Sequence, residues 1–157
     1  MDILIGLAIA VVVPLAVGGL SGFATARGVR EWYPALVKPS FNPPSWIFGP
    51  VWTLLYVLMG IAAFLVWQKG GDGGVAHTAL VVYALQLTLN GLWSIIFFGF
   101  RSPGPALVEI SLLWVFIWIT LVLFWQVTPF AGMLLLPYAA WVTFAVVLNA
   151  AIWVLNR

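Results

Sequence analysis

The side chains able to do chemistry in this chain are few, and they recur at helical spacing. Tyr83, Gln86, Asn90 and Trp93 fall at i, i+3, i+7 and i+10, which lines them along one face of a helix. Tyr138, Trp141, Ala145 and Leu148 or Asn149 repeat the pattern just after Pro137, Ser111, Trp114, Trp118 and Trp125 form a third stripe, and Trp52 and Tyr56 a fourth. Indoles, phenols and amides arranged this way can stack on a flat ligand and orient it by hydrogen bonds. Acid–base and metal chemistry need groups that are missing. Glu109 is the only acidic residue inside an apolar segment, and a neighbour such as Arg101 or a helix N-terminus suffices to explain it. His77 is the single histidine and sits beside a glycine-rich turn, as a surface residue would. With no cysteine, disulfides, thiolate metal sites and thiol catalysis are excluded. No carboxylate pair, Ser-His-Asp set, metal-ligand spacing or phosphate loop can be assembled. Conventional hydrolytic or metal-dependent catalysis is therefore disfavoured, no metal site or required cofactor is expected, and a proton pump would lack its intramembrane ionisable groups.

The elements that carry these stripes follow from composition. The 157 residues are 64% hydrophobic and 6% charged, against the charged share of about 25% usual in soluble domains. Five apolar runs are long enough to cross a hydrocarbon core of about 30 Å, at 3–26, 47–68, 76–100, 106–126 and 131–155. The expected fold is an all-α integral membrane protein, a single five-helix bundle over 1–157 surrounded by membrane lipid, with short connections making consecutive helices antiparallel neighbours. The first run follows Asp2 without a basic leader segment and reads as a retained helix. The net charge of +2 rests on six basic, four acidic and one histidine side chain, too sparse for nucleic acid. Arg27, Arg30, Lys38, Arg101 and Arg157 fall on one side of the bundle and only Lys69 on the other. The excess predicts an external N-terminus, with the first loop and C-terminus in the cytoplasm.

The long connection at 27–46 stands apart. Its stretch Trp32-Tyr-Pro-Ala-Leu-Val-Lys-Pro-Ser-Phe-Asn-Pro-Pro-Ser-Trp46 carries four prolines, two tryptophans and a lysine, and Ser45 follows Pro43-Pro44 where a helix N-cap would stand. Trp32, Trp46, Trp67, Trp125 and Trp153 lie near span ends, where tryptophans anchor at the membrane interface. Trp52, Trp93, Trp114, Trp118 and Trp141 lie deeper and are candidates to line a pocket, while Gln86 and Asn90 also suit inter-helix hydrogen bonding.

Four segments together resemble the translocator protein family, also called the tryptophan-rich sensory protein or peripheral benzodiazepine receptor family. They are Trp32-Tyr33 with Lys38-Pro-Ser-Phe-Asn-Pro-Pro44; Val51-Trp52 with Tyr56 and Met59-Gly60; Gln86, Asn90, Trp93 and Phe97-Phe98; and Pro137-Tyr138, Trp141, Phe144-Ala145 and Leu148-Asn149. The resemblance covers essentially the whole chain and suggests a bacterial-type member, hence a bacterial cell membrane rather than a mitochondrial outer membrane. It implies a homodimer of five-helix bundles with a pocket beneath the first loop, binding porphyrins such as protoporphyrin IX and synthetic benzodiazepine-site ligands. By motif, Tyr33 and Trp141 correspond to residues tied to porphyrin binding and breakdown, and Trp52, Asn90 and Ala145 to the pocket lining. Phe41 stands where the family commonly has tryptophan. The C-terminal run from Val147 to Arg157 lacks the tyrosine of the proposed cholesterol pattern, so specific sterol binding is not expected.

The expected ligand site therefore comprises Tyr33, Trp52, Tyr56, Gln86, Asn90, Trp93, Trp114, Trp118, Tyr138, Trp141 and Ala145, closed by a lid of Trp32, Lys38, Pro39, Phe41, Pro43, Pro44 and Trp46. A porphyrin would stack among the indoles, with Arg27, Arg30 and Lys38 the cations nearest its propionates. Two rival readings are light- or oxygen-dependent porphyrin degradation through Tyr33 and Trp141, and a structural subunit dimerising through the small-residue faces Gly18, Gly22 and Ala26 or Ala84 and Thr88.

Overall fold

The computed structural model describes residues 2–70 and 74–157. Five long helices follow one another: α1 (Ile3–Arg27), α2 (Ser45–Lys69), α3 (Val75–Ser94), α4 (Pro103–Val127) and α5 (Pro129–Leu155). Each is long and apolar enough to cross a membrane, so the chain is an integral, multi-pass membrane protein. A helix suits such a span because it pairs most of its backbone polar groups internally, as hydrocarbon requires. The glycine-rich turn expected after Lys69 falls in part on 71–73, outside the described residues.

The connections are shorter than the sequence reading anticipated, and proline explains two of the differences. Pro103 and Pro129 each occupy the first turn of a helix, where a fixed φ suits helical geometry and no donor is lost. α4 and α5 accordingly begin at these residues instead of at 106 and 131, leaving Thr128 alone between them. α2 opens at Ser45 itself, flanked by Pro44, and has no side-chain cap, so Ser45 is not an N-cap.

The first loop changes most. α1 ends at Arg27, close to the expected boundary, but the chain continues directly into a π-helical turn, Gly28–Trp32, and a 3₁₀ turn, Tyr33–Ala35. A second π turn, Ile95–Gly99, ends the third span. The two π turns meet: a Cβ on Gly28 would run into the Phe98 carbonyl, so only glycine lets the backbones pack there. Wide turns of this kind often re-aim side chains at functional sites. Here they turn Tyr33 against Phe98 at 5.4 Å and Trp32 against Phe97 at 5.7 Å between ring centroids.

The core lies mainly among α2, α3, α4 and α5, around Met59, Val66, Leu113, Leu135 and Val142. α1 is the least buried helix and packs chiefly on α2. The first loop, the α3–α4 turn and the C-terminus share one end of the bundle. Asn156 clasps the Val37 backbone there, accepting from its N–H at 3.0 Å and donating to its carbonyl at 2.8 Å. At the same end Arg101 pairs with Glu31 at 3.6 Å.

Candidate functional site

A cavity of about 1070 Å³ opens beneath the first loop. α1, α2, α5, the end of α3 and the loop wall it, and α4 contributes no lining residue. The aromatic wall is continuous. Trp52 stacks on Tyr56 at 5.5 Å with an interplanar angle of 29°. Trp141 meets Phe48 at 5.9 Å and Phe144 at 5.6 Å, and Trp93 lies 5.3 Å from Phe97. Opposite these rings, α1 presents Gly18, Gly19 and Gly22. At Gly19 and Gly22 a Cβ would meet nothing within 4 Å, so the missing side chains are cavity volume.

Beneath the aromatic wall a chain of hydrogen bonds ties three helices together. The Tyr56 hydroxyl donates to Asn90 Oδ1 at 2.6 Å, Asn90 Nδ2 donates to the Tyr138 hydroxyl at 3.0 Å, and that hydroxyl donates to Gln86 Oε1 at 2.9 Å. A polar group in hydrocarbon without a partner costs on the order of several kcal/mol, so pairing these residues with each other fixes the spacing of α2, α3 and α5. Nearer the loop end, Trp93 Nε1 donates to Asn149 Oδ1 at 3.0 Å, and Asn149 Nδ2 donates to the Pro103 carbonyl at 2.8 Å. That second clamp holds α3, α5 and the start of α4.

The structure divides the residues expected to line the pocket into three groups. Tyr33, Trp52, Tyr56, Trp93, Trp141 and Ala145 line the cavity. Gln86, Asn90 and Tyr138 do not; they are buried behind Tyr56 as the supporting chain. Trp114 and Trp118 lie elsewhere, and this is a correction. The buried stripe of α4 runs through Glu109, Leu113, Ile117 and Thr120, and each of these tryptophans is one residue, about 100° of helical rotation, past it. Trp114 satisfies its N–H externally, donating to Thr143 Oγ1 at 2.8 Å, and Trp118 is exposed and packs edge-on against Trp114.

The lid assignments divide as well. Lys38, Pro43 and Pro44 line the cavity, and Phe41 packs edge-on to Phe144 at 6.3 Å. Pro39 is not among the lining residues, Trp32 packs behind Phe97, and Trp46 is 74% exposed and points away. Asn42, part of the loop motif but not among the expected lid residues, locks the lid. It accepts from the Tyr33 hydroxyl at 2.9 Å and donates to the Pro43 carbonyl at 3.0 Å.

Phe48, Phe97 and Phe144 also line the cavity, although the expected site left them out and the last two stand in the family motifs. Each lies three or four residues from a tryptophan that was identified, so helical spacing could have found them. The small-residue face of α1 considered for dimerisation, Gly18, Gly22 and Ala26, lines the cavity. Ala84 and Thr88 face outward on α3. Arg101, offered as a partner for Glu109, is instead ion-paired with Glu31, and neither Glu109 carboxylate oxygen has a hydrogen-bond partner among the described residues.

Comparison with known proteins fits this architecture. The model of the TspO/MBR family matches residues 10–154. The tryptophan-rich protein TspO of Chlorobaculum tepidum is 44% identical over 150 residues, covering 96% of this chain and 95% of that protein. The human translocator protein is 45% identical over 134 residues, 85% of this chain and 79% of that one. The tryptophan-rich sensory protein of Cereibacter sphaeroides is 44% identical over 119 residues, 76% and 73% of the two chains. Such matches span nearly every element that builds the cavity, and the chain belongs to the TspO/MBR family.

Proposed function

We propose that this protein is a membrane receptor for porphyrin-class ligands, protoporphyrin IX among them, held in the cavity beneath the first loop in the service of tetrapyrrole transport, sensing or regulation. The observation that carries the reading is the cavity itself, about 1070 Å³ and walled by Trp52, Trp93, Trp141 and the phenylalanines between them. Small-molecule sites commonly span roughly 300–1,000 Å³, so this one suits a large ligand. Aromatic pairs contribute about 0.5–1.5 kcal/mol each beyond area burial, and a flat conjugated macrocycle can engage several rings at once. The names of the relatives, translocator and sensory protein, support the transport and sensing side of the reading.

The orientation is part of the proposal. Arg27, Arg30, Lys38, Arg101 and Arg157 lie at or near the loop end of the bundle, against Lys69 at the other, and the positive-inside tendency turns the loop end to the cytoplasm. The cavity would then open beside the cytoplasmic leaflet.

Titration of the purified protein with protoporphyrin IX in lipid nanodiscs, followed by tryptophan quenching, tests the reading. Saturable quenching weakened in Trp141→Phe and Tyr33→Phe is the expected result. Quenching that never saturates, or is identical in both variants, would overturn it. Illumination of the complex separates binding from turnover: a new bilin-like spectrum absent from Trp141→Phe would mark degradation, and equal bleaching in both proteins would mark passive binding.

A further inference from the structure

We infer that Arg30 is the residue that recognises a carboxylate on the bound ligand, and that the site therefore selects amphiphiles carrying an anionic group at the edge of a flat apolar body. The inference rests on the porphyrin-class reading above and assigns within it the one position where charge decides which ligand binds.

Of the six lysines and arginines in the chain, only Arg30 and Lys38 line the cavity. Lys38 is already committed. Its Nζ donates to the Pro34 carbonyl at 3.1 Å and to the Leu36 carbonyl at 3.0 Å, and it lies 5.0 Å from the centroid of the Tyr33 ring. Those contacts close the turn that carries the lid and take two of the three N–H donors of the ammonium, so a ligand would have to share it with two loop carbonyls.

Arg30 has no such commitment among the described residues. It sits in the π turn Gly28–Trp32, exposed to solvent at the cavity mouth. The acid that would neutralise it is its neighbour Glu31, and Glu31 is drawn across to Arg101 at 3.6 Å, the ion pair found among the described residues. Arg101 reaches that place on a backbone with φ of 55°, the left-handed region that L-residues other than asparagine and aspartate seldom adopt. The turn thus separates a pair of adjacent opposite charges, directing the acid to the α3–α4 connection and leaving the guanidinium to the cavity. Arg27, the remaining basic residue at the end of α1, does not line the cavity. A guanidinium offers a planar fork of donors matched to a carboxylate, and beside an apolar wall it is the only uncommitted group of that kind at the mouth among the described residues.

The experiment compares two probes with the same macrocycle, protoporphyrin IX and its dimethyl ester, in nanodiscs of uncharged phosphatidylcholine. The readout is the ratio of their affinities. In the wild type the acid should bind more tightly by roughly five- to tenfold, the order of one charge-assisted hydrogen-bonded pair at a partly solvated site, and the preference should shrink as salt is raised. In Arg30→Gln the ratio should fall to near one; Arg30→Lys should retain part of it, and Arg27→Gln should keep it whole. Equal binding of acid and ester by the wild type, or a preference that survives Arg30→Gln, would overturn the assignment of Arg30 while leaving the cavity reading intact. A preference lost in Lys38→Gln but kept in Arg30→Gln would transfer the role to the lysine and likewise overturn it. Failure of both probes to bind the wild type would overturn the porphyrin-class reading and this inference together.

Discussion

The two ends of the α1–α2 pair use glycine in opposite ways. Toward the end away from the loop, Gly60 lets the two backbones touch: a Cβ there would lie 2.5 Å from the Ala10 carbonyl oxygen and 2.6 Å from Val11 Cα. Toward the loop, Gly19 and Gly22 of α1 and Gly49 of α2 would place a Cβ in open space, and all three line the cavity. The same residue type closes the helix pair at one end and leaves room at the other. The cavity is therefore a wedge between two helices pinned at Gly60, with its inner wall fixed by the hydrogen-bonded chain from Tyr56 to Gln86. Rigidity at the closed end permits a standing void at the open one, because neither α3 nor α5 can move in to fill it without breaking that chain.

The contrast is most directly broken at Gly60. Gly60→Ala forces backbone against backbone, and neither atom group can swing aside, so stability should fall by about 2 kcal/mol or more. Thermal unfolding in detergent measures this as a lowered midpoint. Gly22→Ala should leave the midpoint unchanged or slightly raised, since alanine favours a helix over glycine by about 1 kcal/mol. Equal losses at both positions would mean that the two ends are packed alike.

A second perturbation addresses the inner wall. Asn90→Leu removes two buried bonds at once and leaves the Tyr56 and Tyr138 hydroxyls short of partners. The expected loss is about 1–3 kcal/mol, with hydrogen bonds between membrane helices averaging near the low end. Glu109→Gln makes the comparison, since neither Glu109 oxygen has a hydrogen-bond partner among the described residues. It should shift the unfolding midpoint little.

Helical spacing identified which residues turn inward on α3, and Tyr83, Gln86 and Asn90 are buried there as expected. What spacing does not carry is depth or company. Tyr83 packs on Phe124 of α4, Gln86 and Asn90 serve the supporting chain, and only Trp93 of the four reaches the cavity. Those four residues share a face but meet different neighbours at each turn, and the neighbours belong to other helices. Trp114 and Trp118 were misplaced for a different reason. A soluble protein turns large apolar rings inward, but a bilayer also accepts indoles on the outside: Thr143 pairs the Trp114 N–H, and Trp118 packs edge-on against the Trp114 ring. The glycine wall shows in the sequence as the periodic face Gly18, Gly22 and Ala26, but its use does not, because glycines in membrane helices are ordinarily read as packing positions and only the fold shows that these face a void. The π turns were equally hidden: the first carries the helical path of α1 beyond its apolar run and seats Gly28 against the backbone of Phe98 in the second, a long-range contact that local sequence does not announce.

The lid gives a smaller effect at the open end. Pro43 and Pro44 line the cavity and limit the conformations of the segment before α2. Replacing both with alanine should weaken porphyrin affinity by a factor of roughly three to ten, because more conformational entropy is lost when the loop closes. Helix content by circular dichroism should be unchanged. A collapse of helicity with undiminished affinity in the folded fraction would show that the prolines serve folding instead.

The least perturbing change is the one that separates cavity from lipid face. Trp118 is exposed on α4 and touches Trp114, whereas Trp52 lines the cavity and stacks on Tyr56. Surface substitutions away from packing features usually lie within about 0.5 kcal/mol, so Trp118→Phe should leave porphyrin affinity and the unfolding midpoint essentially unaltered. Trp52→Phe should weaken binding severalfold, since it trades an indole for a smaller ring where stacking contributes about 0.5–1.5 kcal/mol. Quenching should separate the two even if affinities were close. Removing a tryptophan in contact with the ligand deletes part of the quenched emission, while removing one on the lipid face deletes emission the ligand reaches less strongly. The fraction of fluorescence quenched at saturation should thus rise in Trp118→Phe and fall in Trp52→Phe. The reverse pattern would put the ligand on the α4 face and not between α1, α2 and α5.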